Sequence, residues 1–104
     1  MKKKKVMKKY VLYVGLKDKD TKEQEIETQE AKDIIADIAG DCTISEALGI
    51  YKHDDGTQVK ENSLRVEMLF KTKATVLEIA KDIKIKLNQE SVGFEELESN
   101  SVLV

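Results

Sequence analysis

The sequence predicts an α+β sandwich whose elements follow one another in the order βαββαβ. Three observations lead there: a β-branched and aromatic run near the start, turn chemistry in the middle, and an amphipathic stretch in the second half. The 104 residues leave room for one compact domain. One hairpin and two right-handed crossovers, with both helices on one sheet face, give the ferredoxin-like fold with an antiparallel four-stranded sheet.

The first half of the chain is expected to form one strand and one helix. The run from Tyr10 to Leu16 is rich in Val, Leu and Tyr, which is typical of a central strand. Apolar residues then recur at helical spacing, with Thr21 or Thr28 available as the cap and Gly40 placed to end the helix. The apolar positions of this helix are Ala31, Ile34, Ile35 and Ile38.

A hairpin is predicted at the centre of the chain. The stretch from Thr43 to His53 alternates imperfectly and carries Gly49, which within a strand often marks a close backbone approach. Asp54-Asp55-Gly56 supplies residues that tolerate the positive φ of a tight turn. We expect the return strand over residues 63–70, where apolar and polar residues alternate, and a polar loop over residues 57–62.

The second helix has the strongest pattern in the sequence. Its apolar residues from Val76 to Leu87 form one stripe, which predicts a helix over residues 75–88. Residues 91–97 are expected to return as the fourth strand. The apolar triplet Val102-Leu103-Val104 follows, and a docked tail or a contact with another subunit would cover it.

Composition narrows the classes of function. A formal charge of −2 argues against a dedicated nucleic-acid binder, which normally carries a strongly basic face. Cys42 is the one cysteine, so no internal disulfide can form and a site of several thiolates is excluded. Asp41 and a helix carboxyl end beside it would disfavour its thiolate. A reducing, cytoplasmic location is therefore predicted.

Residues 1–8 form a lysine-rich arm ahead of a single domain over residues 9–104. The apolar run after the arm is too short for an export segment or a membrane span. We expect a flexible, solubilising arm. The alternative is weak attachment of the lysines to nucleic acid, which salt would abolish.

Two groups of polar residues are candidates for a site. Glu61 with Ser63, and Gln89 with Ser91, would begin strands three and four at one end of the sheet, where they could orient a polar ligand. The alternative is that they bond backbone groups at loop ends. On the open sheet face, Tyr13, Tyr51 and Met68 are expected.

His53 is the single histidine and lies beside Asp54 and Asp55. A proton-transfer pair or a weak metal site is conceivable there, but a polar turn residue is the commoner role. The spacing of a calcium loop is absent around Gly56. We therefore predict no catalytic residue, no metal and no cofactor. The predicted binding residues are Tyr13, Tyr51, His53, Glu61, Ser63, Gln89 and Ser91.

Short motifs along most of the chain resemble a family of small uncharacterised bacterial proteins, a domain of unknown function. The motifs are Leu12-Tyr13-Val14-Gly15-Leu16, Gly49-Ile50-Tyr51 before Asp55-Gly56, Glu61-Asn62-Ser63 and Asn88-Gln89-Glu90-Ser91-Val92. Tyr51 stands where that family usually has tryptophan, and we expect no export signal of the kind common in the family. The resemblance implies the ferredoxin-like fold and no known activity.

These observations favour a non-enzymatic binding or regulatory module that self-associates, through its open sheet face or its apolar tail, or binds another protein. A small polar ligand is a further partner. The alternative is a small enzyme of the dimeric α+β barrel type, with Tyr13, Tyr51 and His53 around a pocket on the open face. Neither nucleic acid nor a membrane is an expected partner.

Overall fold

The computed structural model describes residues 7–52 and 54–104 and contains one sheet of four antiparallel strands with two helices. The elements are β1 (Met7–Gly15), α1 (Thr28–Ala39), β2 (Thr43–Lys52), β3 (Gln58–Met68), α2 (Lys73–Lys86) and β4 (Gly93–Ser99). The strands lie in the order β2-β3-β1-β4. This confirms the predicted ferredoxin-like βαββαβ fold.

The core lies between the helices and one face of the sheet. Alternate residues of β1 and β3 face the helices in matched register, as in the pairs Tyr10↔Met68 and Leu12↔Val66. From the helices, Ile35 and other fully buried aliphatic side chains complete the cluster. Met68, which we predicted on the open face, is 1% exposed in this core. That prediction was wrong because alternation defines two faces without saying which one the helices cover.

The hairpin is longer than its sequence pattern indicates. β3 begins at Gln58, so the polar loop predicted over residues 57–62 is instead mostly strand, paired with β2 from Lys52↔Gln58 onward. Pairing with β2 provides hydrogen-bond partners for the backbone N–H and C=O groups of these residues, whatever their side chains are. At its other end β3 stops at Met68, because Phe70 has a φ of 60° that a strand cannot accommodate.

Beyond the end of β1 the hairpin continues without a third strand. Gly15, the last residue of β1, lies opposite Ser63. The Leu16 N–H still donates to the Asn62 carbonyl at 3.0 Å, and beyond that point the two strands of the hairpin pair with each other from Gly49↔Glu61 to Lys52↔Gln58. We call residues 48–52 and 58–62 the ribbon. Three of its apolar side chains are exposed: Leu48 by 57%, Ile50 by 53% and Tyr51 by 52%. The ribbon contributes to a long molecule, with extents of 57 × 29 × 22 Å.

The helix ends agree with the sequence in part. Gly40, with a φ of 70°, ends α1 as predicted, and its N–H donates to the carbonyl of Ala36. The N-cap of α1 is Glu27, which makes no side-chain capping bond, so neither Thr21 nor Thr28 is the cap. α2 begins at Lys73, where the hydroxyl of Thr72 accepts a hydrogen bond from the Thr75 N–H.

Two predicted features fall wholly or partly outside the described residues. His53 lies outside them, as does the lysine-rich arm of residues 1–8 except for Met7 and Lys8, which begin β1 and pair with Ser99 and Glu98. Within the described ranges, neither helix is long and apolar enough to cross a membrane.

Candidate functional site

A group of five residues lies on the open sheet face where the ribbon begins, and we call it the Glu61 site. Its members sit on three neighbouring strands: Gly15 on β1, Gly49 and Tyr51 on β2, and Glu61 and Ser63 on β3. The register pairs Gly15 with Ser63 and Gly49 with Glu61. Two predicted polar residues therefore lie beside two glycines, which leave space above the backbone.

Glu61 is the charged centre of this site. Its Oε2 accepts a hydrogen bond of 3.0 Å from the Lys17 backbone N–H. A Cβ on residue 15 would lie only 2.5 Å from its Oε1, so the carboxylate needs glycine there. The residue is partly buried, and within residues 7–52 and 54–104 it forms no ion pair. A partly buried carboxylate without a cation is suited to a positively charged ligand.

Gly49 opens the second part of the site. A Cβ there would lie 2.9 Å from the Ser63 hydroxyl and 3.1 Å from the Tyr51 hydroxyl and ring edge. Tyr51 therefore folds back over the glycine toward Ser63, with half of its surface still exposed. Ser63 is 7% exposed and its hydroxyl donates to the Glu61 carbonyl at 3.4 Å, so it supports the site from beneath. The exposed phenol ring is available to stack against a flat ligand.

Gln89 is placed near Glu61, but its amide is occupied by the backbone. Its Nε2 donates to the carbonyls of Lys17 at 2.9 Å and Leu87 at 3.2 Å, and the side chain is 6% exposed. Glu61 and Gln89 thus hold the two sides of the same residue, Lys17. For Gln89 this agrees with the alternative that the side chain bonds backbone groups at the end of a loop. Ser91 is exposed, and its side chain forms no hydrogen bond with the described residues.

The loop after Lys17 is fixed by a second set of polar contacts. The Asn88 amide donates to Asp18 at 2.8 Å and to Asp20 at 2.9 Å, while Asp18 also accepts from the backbone N–H groups of Asp20 and Thr21. The hydrogen bond from Asn88, followed by these backbone bonds, lowers the pKa of Asp18 below its ordinary value. The loop that contacts Glu61 is therefore held in place from the end of α2.

A series of side-chain hydrogen bonds connects the same loop to β3. The Asn62 amide donates to Gln24 at 2.8 Å, and Gln24 in turn donates to the Ile26 carbonyl and the Thr28 hydroxyl. No sequence pattern predicts these partners, since Gln24 lies in an almost wholly charged segment. Gly49, in contrast, was singled out in the sequence, because a glycine within a strand often marks a close backbone approach.

Tyr13 belongs to a different part of the open face. Its hydroxyl donates to Glu95 at 3.1 Å, which directs the ring toward β4. It lies level with Ser45 on β2, about 20 Å along that strand from Tyr51. The enzyme alternative expected Tyr13 and Tyr51 around one cavity. Within a single copy of the chain they are not brought together.

Ion-paired side chains cover the centre of the open face. Glu67 forms ion pairs with Lys9, at 3.0 Å, and with Arg65. Val11 lies beneath them and is fully buried although it faces away from the helices. A partner that stacked on this face would have to desolvate those charges. At the Glu61 site, in contrast, the carboxylate forms no ion pair with a described residue, and Tyr51 beside it is 52% exposed.

Other chemistry is limited in the part of the chain that the structure describes. No group of three or more His, Cys, Asp or Glu side chains could hold a metal ion there. Burial raises the pKa of the Cys42 thiol, which keeps it protonated at neutral pH. The contribution of His53 to any site stays a prediction, because the residue lies outside the described ranges.

The chain is similar in structure to a phage SAM lyase. The lyase in complex with S-methyl-5'-thioadenosine matches with 23% identity and a TM-score of 0.67, over 96% of this chain and 88% of that one. Its apo state matches with 20% identity and a TM-score of 0.73, over 100% and 90%. CutA from Synechococcus elongatus PCC7942 matches with 13% identity and a TM-score of 0.55, over 96% and 81%.

No family model and no curated protein matches the chain. Membership of the family of uncharacterised bacterial proteins therefore stays a prediction. The likenesses to solved structures agree with the ferredoxin-like α+β fold seen in the sheet and helices.

Proposed function

We propose that this protein binds S-adenosylmethionine at the Glu61 site and cleaves it as a lyase to S-methyl-5'-thioadenosine. The single observation that carries the proposal is the carboxylate of Glu61, which lies over Gly15, is held by the Lys17 N–H and has no cationic partner among the described residues. S-adenosylmethionine is a cation-bearing ligand. The phage SAM lyase supports this choice of ligand because it has the same fold and was solved with the thioadenosine.

The reaction makes modest demands on the protein. S-methyl-5'-thioadenosine keeps the methyl and adenosyl groups on sulfur, so the bond that breaks joins sulfur to the amino-acid chain. Its electron pair stays on sulfur and neutralises the sulfonium. A lyase uses no water, so the released carbon fragment closes on one of its own groups or loses a proton. The protein has to bind, orient and shield one substrate.

We assign Glu61 to the ammonium group of the substrate's amino-acid chain. The sulfonium loses its charge as the bond breaks, so a carboxylate placed against it would stabilise the substrate more than the transition state. The ammonium keeps its charge throughout. Tyr51 offers an exposed ring on which adenine can stack, a contact worth about 1–3 kcal/mol per base.

The test compares two ligands that differ in charge. Glu61→Gln keeps the shape of the side chain and an oxygen that can accept from Lys17, while removing the charge. We expect the Kd for S-adenosylmethionine to rise about 10- to 100-fold, the worth of a charge-assisted hydrogen bond. The Kd for neutral S-methyl-5'-thioadenosine should change little. Calorimetry measures the affinity for the thioadenosine. The affinity for S-adenosylmethionine, which the active protein consumes, is taken from the dependence of the initial rate of thioadenosine release on substrate concentration, followed by chromatography.

Glu95→Gln is the matched control, because Glu95 is another carboxylate on the open face but is bonded to Tyr13. It should leave both affinities unchanged. Wild-type protein that neither binds S-adenosylmethionine nor releases the thioadenosine would overturn the proposal. Equal losses of affinity for both ligands in Glu61→Gln would contradict the assignment of Glu61 to the ammonium group.

Self-association is the second candidate property, and the ribbon favours it. A two-stranded ribbon is marginally stable alone in water, and this one exposes Leu48, Ile50 and Tyr51. A second copy that covered it would stabilise it and would add a wall to the Glu61 site. Native mass spectrometry of untagged protein should give a multiple of the 11.8 kDa chain mass. A monomer at all concentrations would contradict self-association. A lone thiol fits the reducing cytoplasm for either role.

A further inference from the structure

The apolar side chains left exposed by the fold are concentrated in two places. One is the ribbon, with Leu48, Ile50 and Tyr51, and the other is the segment after β4, residues 100–104, which we call the 100–104 segment. Val102 and Leu103 in that segment are 76% and 83% exposed. The segment follows β4 without forming a further strand pairing among the described residues.

The two patches lie at opposite ends of the molecule. Ser99, the last residue of β4, pairs with Met7 at the start of β1, whereas the ribbon begins past Gly15 at the end of β1. Ile50 is therefore about 35 Å from Ser99 along the strand direction. Five extended residues reach about 17 Å. The 100–104 segment cannot cover the ribbon of its own chain.

The ribbon also offers unpaired backbone. β2 is an edge strand of ten residues, so its outer N–H and C=O groups have no neighbouring strand among residues 7–52 and 54–104. It contains no proline, and its two charged residues, Glu46 and Lys52, fall short of the dense charge that usually protects an edge. An extended apolar segment can add to such an edge as a further strand.

Charge on the two patches is complementary. Lys52 and Lys60 lie on the same side of the ribbon as Leu48 and Ile50, and neither forms an ion pair with a described residue. Glu96 and Glu98 precede the 100–104 segment on the corresponding side of β4, and their ion pairs with Lys73 and Lys8 are long, at 3.6 and 3.4 Å. Lysines beside one apolar patch and glutamates beside the other make the two surfaces complementary in charge.

We propose that the 100–104 segment of one copy adds to the outer edge of β2 at the ribbon of a second copy. This names the contact behind the self-association proposed above and rests on it. The two surfaces differ, so the contact is head-to-tail, and such contacts close into a ring when the rotation between copies permits. Each copy uses its ribbon for one neighbour and its 100–104 segment for the other.

Two double variants separate the halves of this contact. Leu48→Asp with Ile50→Asp damages only the ribbon, and Val102→Asp with Leu103→Asp damages only the 100–104 segment. All four side chains are exposed, so each variant should keep the far-ultraviolet dichroism of the wild type. Each alone should be monomeric by native mass spectrometry. Ile85→Asp is the control, because Ile85 is 78% exposed on α2 and should stay assembled when changed.

Mixing the two variants gives the decisive result. The ribbon of the segment variant and the segment of the ribbon variant are both intact, so one contact can form while the remaining ends are blocked. We expect a dimer of twice the chain mass, containing one copy of each variant. A mixture that stays monomeric, or a segment variant that stays assembled, would overturn the head-to-tail contact. A monomeric wild type would overturn self-association itself.

Discussion

Leu64 and Leu48 lie on the same face of one hairpin, yet Leu64 is fully buried and Leu48 is 57% exposed. Leu64 belongs to the part of β3 that the helices cover, together with Val66 and Met68. Leu48 lies on the ribbon, beyond the end of β1. The alternation of side chains continues through both parts of the hairpin, but only one part has a layer packed on it. A strand pattern therefore specifies a face, and the neighbouring elements decide whether that face is buried.

The largest expected effect comes from applying the same truncation to both leucines. Leu64→Ala should reduce the free energy of unfolding by about 2–5 kcal/mol, since it empties space in a packed core. Leu48→Ala should cost less than about 0.5 kcal/mol in dilute protein, because its side chain is exposed there. Denaturant titration measures both. Equal costs for the two variants in dilute protein would mean that the ribbon is covered within its own chain.

An intermediate effect is expected at the loop that separates the covered sheet from the ribbon. Gln89→Ala should reduce the free energy of unfolding by about 1–3 kcal/mol, because it leaves the buried carbonyl bonds to Lys17 and Leu87 unmade. Ser91→Ala, two residues on and exposed, is the matched control and should change little. Thermal and denaturant unfolding of both variants test this. A loss at Ser91 as large as that at Gln89 would mean that Ser91 makes a contact of its own.

The smallest effect concerns pH and the same loop. Hydrogen bonds from Asn88 and the loop backbone lower the pKa of Asp18 in the folded protein. A depressed folded pKa contributes stability above the unfolded pKa, and that contribution is lost as the pH falls through the folded pKa. The difference in Tm between wild type and Asp18→Asn should therefore be larger at about pH 7 than at about pH 3. A difference independent of pH would show that the charge of Asp18 has no part in it.

Much of the fold could be predicted because its patterns are local. The aromatic and β-branched run at Tyr10, the helical stripe ending at Leu87 and the turn at Gly56 each depend on residues close in sequence. The start of β3 was missed because Gln58 and Lys60 give no apolar alternation, and only their partners on β2 make them a strand. The face of Met68 was missed for a similar reason, since it depends on where the helices pack.

The candidate site was predictable in its side chains and not in its backbone. Glu61, Ser63 and Tyr51 were identified from short polar and aromatic motifs, and the structure places them on one face beside Gly49. The role of Gly15 depends on the approach of Glu61 from a neighbouring strand, and that of Lys17 on its backbone N–H and carbonyl. Residue types carry no information about contacts of that kind.

The length of the molecule affects how its mass should be measured. The radius of gyration is 15.3 Å, whereas a compact chain of this size would have about 13 Å. A particle that is long for its mass experiences more friction and elutes early from a gel-filtration column calibrated with spherical standards. A single copy would then pass for something larger than it is. Light scattering, which weighs a particle without reference to its outline, is the sounder companion to mass spectrometry for this protein.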